Sequence, residues 1–436
     1  MLRSLRLQSW SLQLLWSIVT IFSISNAIGQ EFKIDADYRA RGEYSHGFGT
    51  LIQEESSGAL FVQQRARLKF GYTDKKLSAY MSFQDVSVWG DHPQISAQDD
   101  NNSLSLTQAW VEFKASDYWS FKGGRQVLSY DDQRIFGGLD WAMQGRFHDA
   151  LLIKHKKNNF QFDLGLAFNQ NGISRQNTLF DPNNTGNVRA VFDYKVMAYL
   201  WLHKEWNNVK GSFLFSNNAY QNLNGQVPVS GHVQRQTFGA HVKITPSSHW
   251  KVLANLYMQT GEFVEGVDLQ AYNTLLEVNY KPRKTTFGLG YEILSGDDDG
   301  MANGEISSFF PIFGTNHKFN GFMDYFYVGN HANSIGLRDL YGKVVANLGG
   351  NSNLLVKAHY FSGDKELAND SYLGTEIDIV YSKKILPYAT LKIGYSQLFA
   401  SDTMKLLKNV PNAGNTQNWG WAMVVVKPNF LTWKKK

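Results

Sequence analysis

Apolar and polar residues alternate with a period of two along most of this chain. That is the signature of strands whose two faces meet different surroundings. Val62, Ala66, Leu68, Phe70 and Tyr72 share one face, and Gln63, Arg65, Arg67 and Lys69 the other. Over 232–245, Phe238, Ala240, Val242 and Ile244 oppose Arg235, Thr237, His241 and Lys243. Over 387–399, Ala389, Leu391, Ile393, Tyr395 and Phe399 oppose Thr390, Lys392 and Ser396. Over 416–426, Trp419, Trp421, Met423 and Val425 alternate with small residues. Each stretch runs for about 10–14 residues, beyond the ~5–6 usual in soluble sheets and suited to a tilted membrane strand.

About eighteen such strands are predicted. They fall near 31–44, 60–72, 76–88, 104–114, 119–128, 145–156, 160–170, 193–205 and 208–218. The second half carries 232–245, 249–260, 269–281, 285–295, 335–348, 352–362, 371–382, 387–399 and 415–427. Connections alternate in length. Short ones are expected at Thr73–Lys75, Ala115–Tyr118, Lys157–Asn159, Trp206–Asn207, Pro246–Ser248, Pro282–Lys284, Gly349–Asn351 and Ser382–Leu386. Long ones include 45–59, 129–144, 171–192, 219–231, 296–334 and 400–414. Tight turns at one end and long loops at the other are the layout of an outer-membrane barrel. Aromatics near strand ends (Tyr72, Trp119, Trp206, Trp250, Tyr280, Tyr381, Tyr388) fit an interfacial girdle. The fold expected is all-β, a transmembrane antiparallel up-and-down barrel of about eighteen strands with a lumen wide enough for water.

The N-terminus reads as an export signal. Arg3 and Arg6 precede an apolar run over Leu12–Ile24, and Ser25-Asn26-Ala27 offers a small-residue cleavage site. Cleavage is expected after Ala27, with a site near Gln30 as the alternative, leaving 28–436 as the barrel. The chain has no cysteine, so disulfides and a lipoprotein anchor are excluded. Net charge is only +5 before cleavage, without a concentrated basic footprint, and nucleic acid is not an expected partner. Phe430 and Trp433 are followed by Lys434, Lys435 and Lys436. That tail is expected to fold into the periplasmic mouth.

Residues 119–155, WSFKGGRQVLSYDDQRIFGGLDWAMQGRFHDALLIKH, are the most distinctive stretch. Gly124, Arg125, Gln126, Tyr130, Asp132, Arg134, Gly137, Trp141, Gly145, Arg146, Phe147 and Asp149 resemble the hallmark of the alginate-export porin family. The preceding Gln108-Ala109-Trp110-Val111-Glu112 is similar as well. Asp131 stands where that pattern has glycine, and His148 separates Phe147 from Asp149. The resemblance implies an eighteen-stranded outer-membrane barrel that passes an anionic uronate polymer through a basic constriction. It also implies a loop folded inward, bracketed here by Arg125, Arg134 and Arg146.

The residues allow such a constriction independently. Arg39 and Arg41 share the polar face of the first strand, Arg65 and Arg67 that of the second, and Arg338 lies on a later strand. Guanidinium is permanently charged and forks onto carboxylates, and a ring of such groups selects anions. Crowded arginines need acids among them, and Asp35, Asp37, Glu43, Glu112, Asp132 and Asp149 are the candidates. The same pairs would equally serve to brace the wall. Gly137, Gly138 and Gly145 suit a loop that bends into the lumen.

Other chemistry finds little footing. Asp297-Asp298-Asp299 lacks the spaced ligand pattern of a calcium loop, and the histidines have no metal spacing. No Gly-x-Ser-x-Gly elbow or phosphate loop occurs. His148 and Asp149, adjacent on a strand, point to opposite faces. No metal or cofactor is therefore expected, and no enzyme activity. The reading is a monomeric outer-membrane porin, its partners being lipid, an anionic solute or polysaccharide, and export proteins of the periplasm. The alternatives are an exported protein that binds polysaccharide without transporting it, and a polysaccharide lyase or hydrolase using Asp37 and Glu43.

Overall fold

The computed structural model describes residues 29–91, 104–175, 179–184, 193–331 and 334–435. The expected signal at 1–27 lies outside the described residues. The strands are β1 (Glu31–His46), β2 (Ala59–Thr73), β3 (Leu77–Val88), β4 (Ser105–Lys114), β5 (Trp119–Gln126), β6 (His148–Lys157) and β7 (Phe160–Phe168). Next come β8 (Val196–Glu205), β9 (Val209–Asn224), β10 (Val227–Ile244), β11 (Trp250–Val264), β12 (Val267–Leu269), β13 (Ala271–Tyr280) and β14 (Thr285–Leu294). The last are β15 (Glu305–Ile306), β16 (Leu337–Gly349), β17 (Ser352–Leu367), β18 (Asp370–Leu386), β19 (Ala389–Ala400), β20 (Thr416–Val426) and β21 (Asn429–Lys434). The short β12 and β15 pair with each other in parallel, away from the wall. β21 resumes β20 beyond Pro428, so eighteen antiparallel staves remain.

Each stave pairs with its neighbour in sequence, and β1 also pairs with β20, from Tyr38 opposite Val426 to His46 opposite Asn418. The sheet therefore closes. Closure leaves no open strand edge at the seam, the condition for crossing hydrocarbon with strands. The tail does not enter the mouth. Phe32 stands opposite Trp433 and Ile34 opposite Leu431, so the tail lengthens the wall along β1, whose free hydrogen bonds it meets.

The period-two pattern sorts side chains as expected, with a belt of large apolar residues on the outward face. Leu151 (65 % exposed), Leu276, Leu289 and Leu340 stand on the outer face, while Ala150, Asn273, Glu292 and Asp339 point in and are buried. So wide an apolar belt would drive aggregation in water and is ordinary against lipid.

Two turn expectations need correction. The expected long loop at 219–231 is instead strand, because β9 and β10 extend to a tight turn at Gly225, whose φ is +63°. Gln221 holds the bulge there by donating to the Val229 and Gly231 carbonyls. The strand expected to end near 382 continues to Leu386, and the turn is formed by Pro387 and Tyr388.

Two segments between staves fold into the lumen, residues 127–147 and the stretch around 307–331. The Phe136 and Phe313 rings stack at 5.8 Å. Main-chain bonds join the segments, from Gly137 N to the Phe313 carbonyl and from Thr315 N to the Gln133 carbonyl. Phe309, Phe310, Met323 and Tyr325 are buried within the barrel. The apolar core of this protein thus lies inside the cylinder, built from these loops and from inward strand residues such as Met197, Tyr199, Trp201 and Trp419.

The placement of Leu276 on the lipid face can be tested. Leu276→Arg should lower the unfolding free energy in lipid vesicles by about 2–4 kcal/mol. Urea titration of the folded barrel would report it, and unchanged stability would put Leu276 away from the hydrocarbon.

Candidate functional site

The register of β1 against β2 places Arg39 directly opposite Arg65 and Asp37 opposite Arg67, with Arg41 opposite Gln63 and Asp35 opposite Lys69. All lie on the inward face. Like charges directly opposite each other repel, so this ladder requires counter-charge. Its main source is Asp140, on the inward loop. Arg39 Nη2 donates to Asp140 Oδ2 at 3.0 Å, and Arg65 Nη1 and Arg67 Nη1 reach Oδ1 at 3.1 and 3.4 Å. Arg39 Nη1 also donates to the Asp140 carbonyl at 2.5 Å. Asp37 takes Arg65 at 3.4 Å, Lys69 at 3.1 Å and Lys427 at 3.5 Å. Glu43 holds Arg41 at 2.7 Å and accepts the Trp419 indole N–H at 3.0 Å. Burial pushes the Asp140 pKa up, but Arg39, Arg65 and Arg67 together outweigh it and hold the carboxyl below the usual carboxylate range.

The loop reaches this position through left-handed backbone at Asp131 (φ +52°), Gln133, Leu139 and Gly145 (φ +75°). Asp131 therefore sits where glycine would be unstrained, at a cost of about 1–3 kcal/mol. Its carboxylate accepts Ser212 Oγ at 2.6 Å and the Trp201 indole N–H at 3.1 Å, ties a glycine could not make. Gly145 runs so close to the wall that a Cβ would lie 3.0 Å from Arg67 Nη2.

Next to Asp140, the Trp141 ring stacks on His317 at 4.3 Å, with 7° between the planes. Trp421 meets it at 5.0 Å and Trp419 at 5.8 Å, both edge-on, and the Arg41 guanidinium lies 4.3 Å over it. Trp141 lines two cavities. One, of about 870 Å³, opens between the two inward segments and includes Arg146, Phe147, His317 and Tyr327. The other, of about 430 Å³, lies toward the tight turns and includes Arg39, Asp140, Lys392, Met423 and Lys427.

The opposite wall is acidic, and its charges are engaged with loop and wall groups. Glu292 pairs with Arg134 at 2.8 Å, Glu376 accepts Met323 N–H at 2.9 Å, and Asp339 meets His359 at 2.8 Å. Glu277 binds Lys343 and Tyr341, each at 2.7 Å.

The sequence-predicted residues divide into groups. Arg39, Arg41, Arg65, Arg67 and Asp37 form one cluster. Arg134 is buried on the acidic wall beside Asn320, and Asp132 lies nearby, accepting Asn255 Nδ2 at 2.7 Å. Arg146 borders the larger cavity and donates to the Gly314 carbonyl at 2.8 Å. Burial lowers its pKa to about 10, still charged at neutral pH. Glu112 is held by Ser120 and Lys154 elsewhere on the wall, and Asp35 accepts Asn429 Nδ2 near the tight-turn end.

Three of the predicted residues lie away from the inward ladder. Arg125 and Asp149 pair at 2.8 Å on the strand face of Phe121 and Leu151, opposite to His148 and Ala150. The glycines beside Arg125 hid that parity in the sequence. Arg338 shares the outward face of Leu340 and pairs with Asp364 at 3.0 Å. Arg125 and Asp149 border the larger cavity, whereas Arg338 stitches the outside of the wall, and none of the three joins the inward ladder. Sequence reasoning also missed Asp140, Lys392, Lys427 and His317. Asp140 alone had a signal, standing immediately before the motif residue Trp141.

A sequence profile described as alginate export matches residues 30–334. The chain belongs to the alginate export family. Among curated protein sequences, none matches the chain. Solved structures with a similar fold include Pseudomonas aeruginosa OpdL (10 % identity, 92 % of this chain and 99 % of that one, TM-score 0.61). Acinetobacter baumannii OccAB4 is similar at 12 % identity, covering 93 % and 99 %, with a TM-score of 0.58. So is P. aeruginosa OpdK with vanillate, at 12 % identity, covering 92 % and 99 %, with a TM-score of 0.58. This family member is thus an outer-membrane, porin-like barrel.

The linkage of Asp140 to the inward loop has a defined sign. Its folded pKa is depressed, so its contribution is fully present above the unfolded carboxylate pKa of about 3.9 and is lost as pH falls through the lower folded value. Hydrogen exchange of 130–146 peptides should therefore accelerate below about pH 4. Asp140→Asn should show fast exchange already at neutral pH and lose that acid step.

Proposed function

We propose that the barrel conducts anionic polar solutes, with uronate oligosaccharides or polysaccharide as the class its family implies, through a lumen narrowed by the Arg39–Arg41–Arg65–Arg67 ladder and the Asp140–Trp141 loop tip. One observation carries this reading: five inward cations of β1 and β2, counting Lys69, face four carboxylates (Asp35, Asp37, Glu43 and Asp140), and Lys392 and Lys427 add charge to the cavity below. Glu277, Glu292, Asp339 and Glu376 of the opposite wall are bonded to loop atoms, lysine, histidine or arginine, which leaves the cationic side to set the potential in water. An entering carboxylate would exchange hydration for guanidinium forks, and Trp141 would yield its stacked position for a path between the two cavities to form. Bracing and selection are compatible here, because the same arginines that pin the loop carry the unbalanced charge.

Planar-bilayer recordings under a potassium chloride gradient test the proposal. The protein should give stepwise conductance with a reversal potential on the chloride side, and Arg65→Gln with Arg67→Gln should move it toward zero while heat-modifiable gel migration persists. Preference for potassium in the unaltered protein would overturn the basic filter. Trp141→Ala, by joining the two cavities, should raise unitary conductance about twofold or more. An unchanged value would place the barrier elsewhere.

A further inference from the structure

The two ends of the barrel carry opposite exposed charge. Among the described residues, the exposed cations gather at the tight turns: Lys75 and Lys76 between β2 and β3, Lys156 and Lys157 at the β6–β7 turn, and Lys383 and Lys384 before the β18–β19 turn. Lys281, Arg283 and Lys284 crowd the β13–β14 turn, and Lys434 and Lys435 close the ring at the seam. The long-loop end instead exposes acids, among them Glu54, Glu55, Asp298, Asp299, Glu366 and Asp402. Most exposed cations among the described residues thus form one circumferential collar, with Arg175, Lys318 and Arg338 outside it.

The collar continues the lipid-facing columns. On β6 the outward face runs Leu151, Ile153, His155, Lys157, and on β18 it runs Ile377, Ile379, Tyr381, Lys383. The apolar belt therefore passes through aromatic or imidazole rings directly to ammonium groups. The Lys157 ammonium lies 4.9 Å over the Tyr118 ring, and Trp119 packs on His155 at 4.4 Å. Lysine at that depth sits level with phosphate. Its stem follows the hydrocarbon while its charge reaches the headgroups.

We propose that this collar binds anionic phospholipid headgroups in the leaflet around the tight turns. Its ring-like spread selects that occupant over a docking protein: lipid surrounds a barrel on all sides, whereas a protein partner would favour one patch at the mouth. The inference is independent of which solute the lumen carries.

Spin-label electron paramagnetic resonance on the full-length mature protein, in vesicles of phosphatidylcholine with trace labelled phosphatidylglycerol or labelled phosphatidylcholine, reads the motionally restricted lipid directly. Phosphatidylglycerol should be enriched at the protein surface by about fivefold, falling toward parity in molar salt. Lys157→Gln, Lys281→Gln and Lys383→Gln combined should remove most of the enrichment, while Asp298→Asn with Asp299→Asn should leave it intact. All five positions are exposed, and heat-modifiable migration verifies folding in each variant. Equal restriction of the two lipids by the unaltered protein, or enrichment that survives the triple lysine change, would overturn the proposal. In the second case the collar charge would be left to another anion.

Discussion

Pairing β1 with β20 is the constraint from which the remaining architecture follows. A strand edge left open in hydrocarbon would expose backbone donors and acceptors at several kcal/mol each, so the sheet must return to its own beginning. Once it does, period-two alternation fixes two surfaces at once. Leucines and aromatics face lipid, and every second residue is committed to an enclosed space. A cylinder of eighteen strands is too wide for its own inward side chains to fill. The inward segments around Phe136 and Phe313 supply the missing core, and their placement is settled by what the wall offers them.

The wall offers charge in two sectors. The β1–β2 sector presents arginines that cannot tolerate one another without a carboxylate, and Asp140 supplies it from the loop. The facing sector presents acids that accept loop N–H groups or pair with Arg134. The first sector grips the 127–147 segment and the facing sector holds both segments, while stacking of Trp141 on His317 fastens the two together. Positioning is strict because three guanidinium groups converge on a single carboxylate. The left-handed residues of the loop, Asp131 included, are the local strain this grip compensates.

Much of this was legible in the residues. The strand count, the outward leucine columns and the shared face of Arg39, Arg41, Arg65 and Arg67 all follow from a period of two. Register was not legible, yet it decides that Arg39 faces Arg65. Parity failed where the pattern was interrupted: Arg125 follows two glycines, which give no sign of which face they occupy. Arg338 misled for a different reason. Charge suggested the lumen, but the surrounding Leu337, Asp339, Leu340 and Tyr341 do not sort cleanly into polar and apolar faces. Asp140, the keystone of the cluster, lay in a loop where periodicity carries no information. The 219–231 stretch was polar enough to read as a loop, whereas Gly225 and the Gln221 bulge let the strands run on. The glycine expected at 131 and the positive φ found there agree, since both express one backbone requirement that this chain meets with an aspartate.

The seam also has a temporal meaning. β1 is made first, and its partners β20 and β21 come last, so the contacts that close the cylinder join residues separated by nearly the whole chain. Loop closure over such a separation is entropically costly and slow compared with forming any single hairpin. Hairpins can assemble early, but the edge of β1 remains open until the final residues arrive. Until then the nascent sheet presents an unsatisfied strand to any neighbour able to pair with it. In a chain built this way β20 and β21 act as the clasp, and pairing them with β1 is what retires that exposed edge.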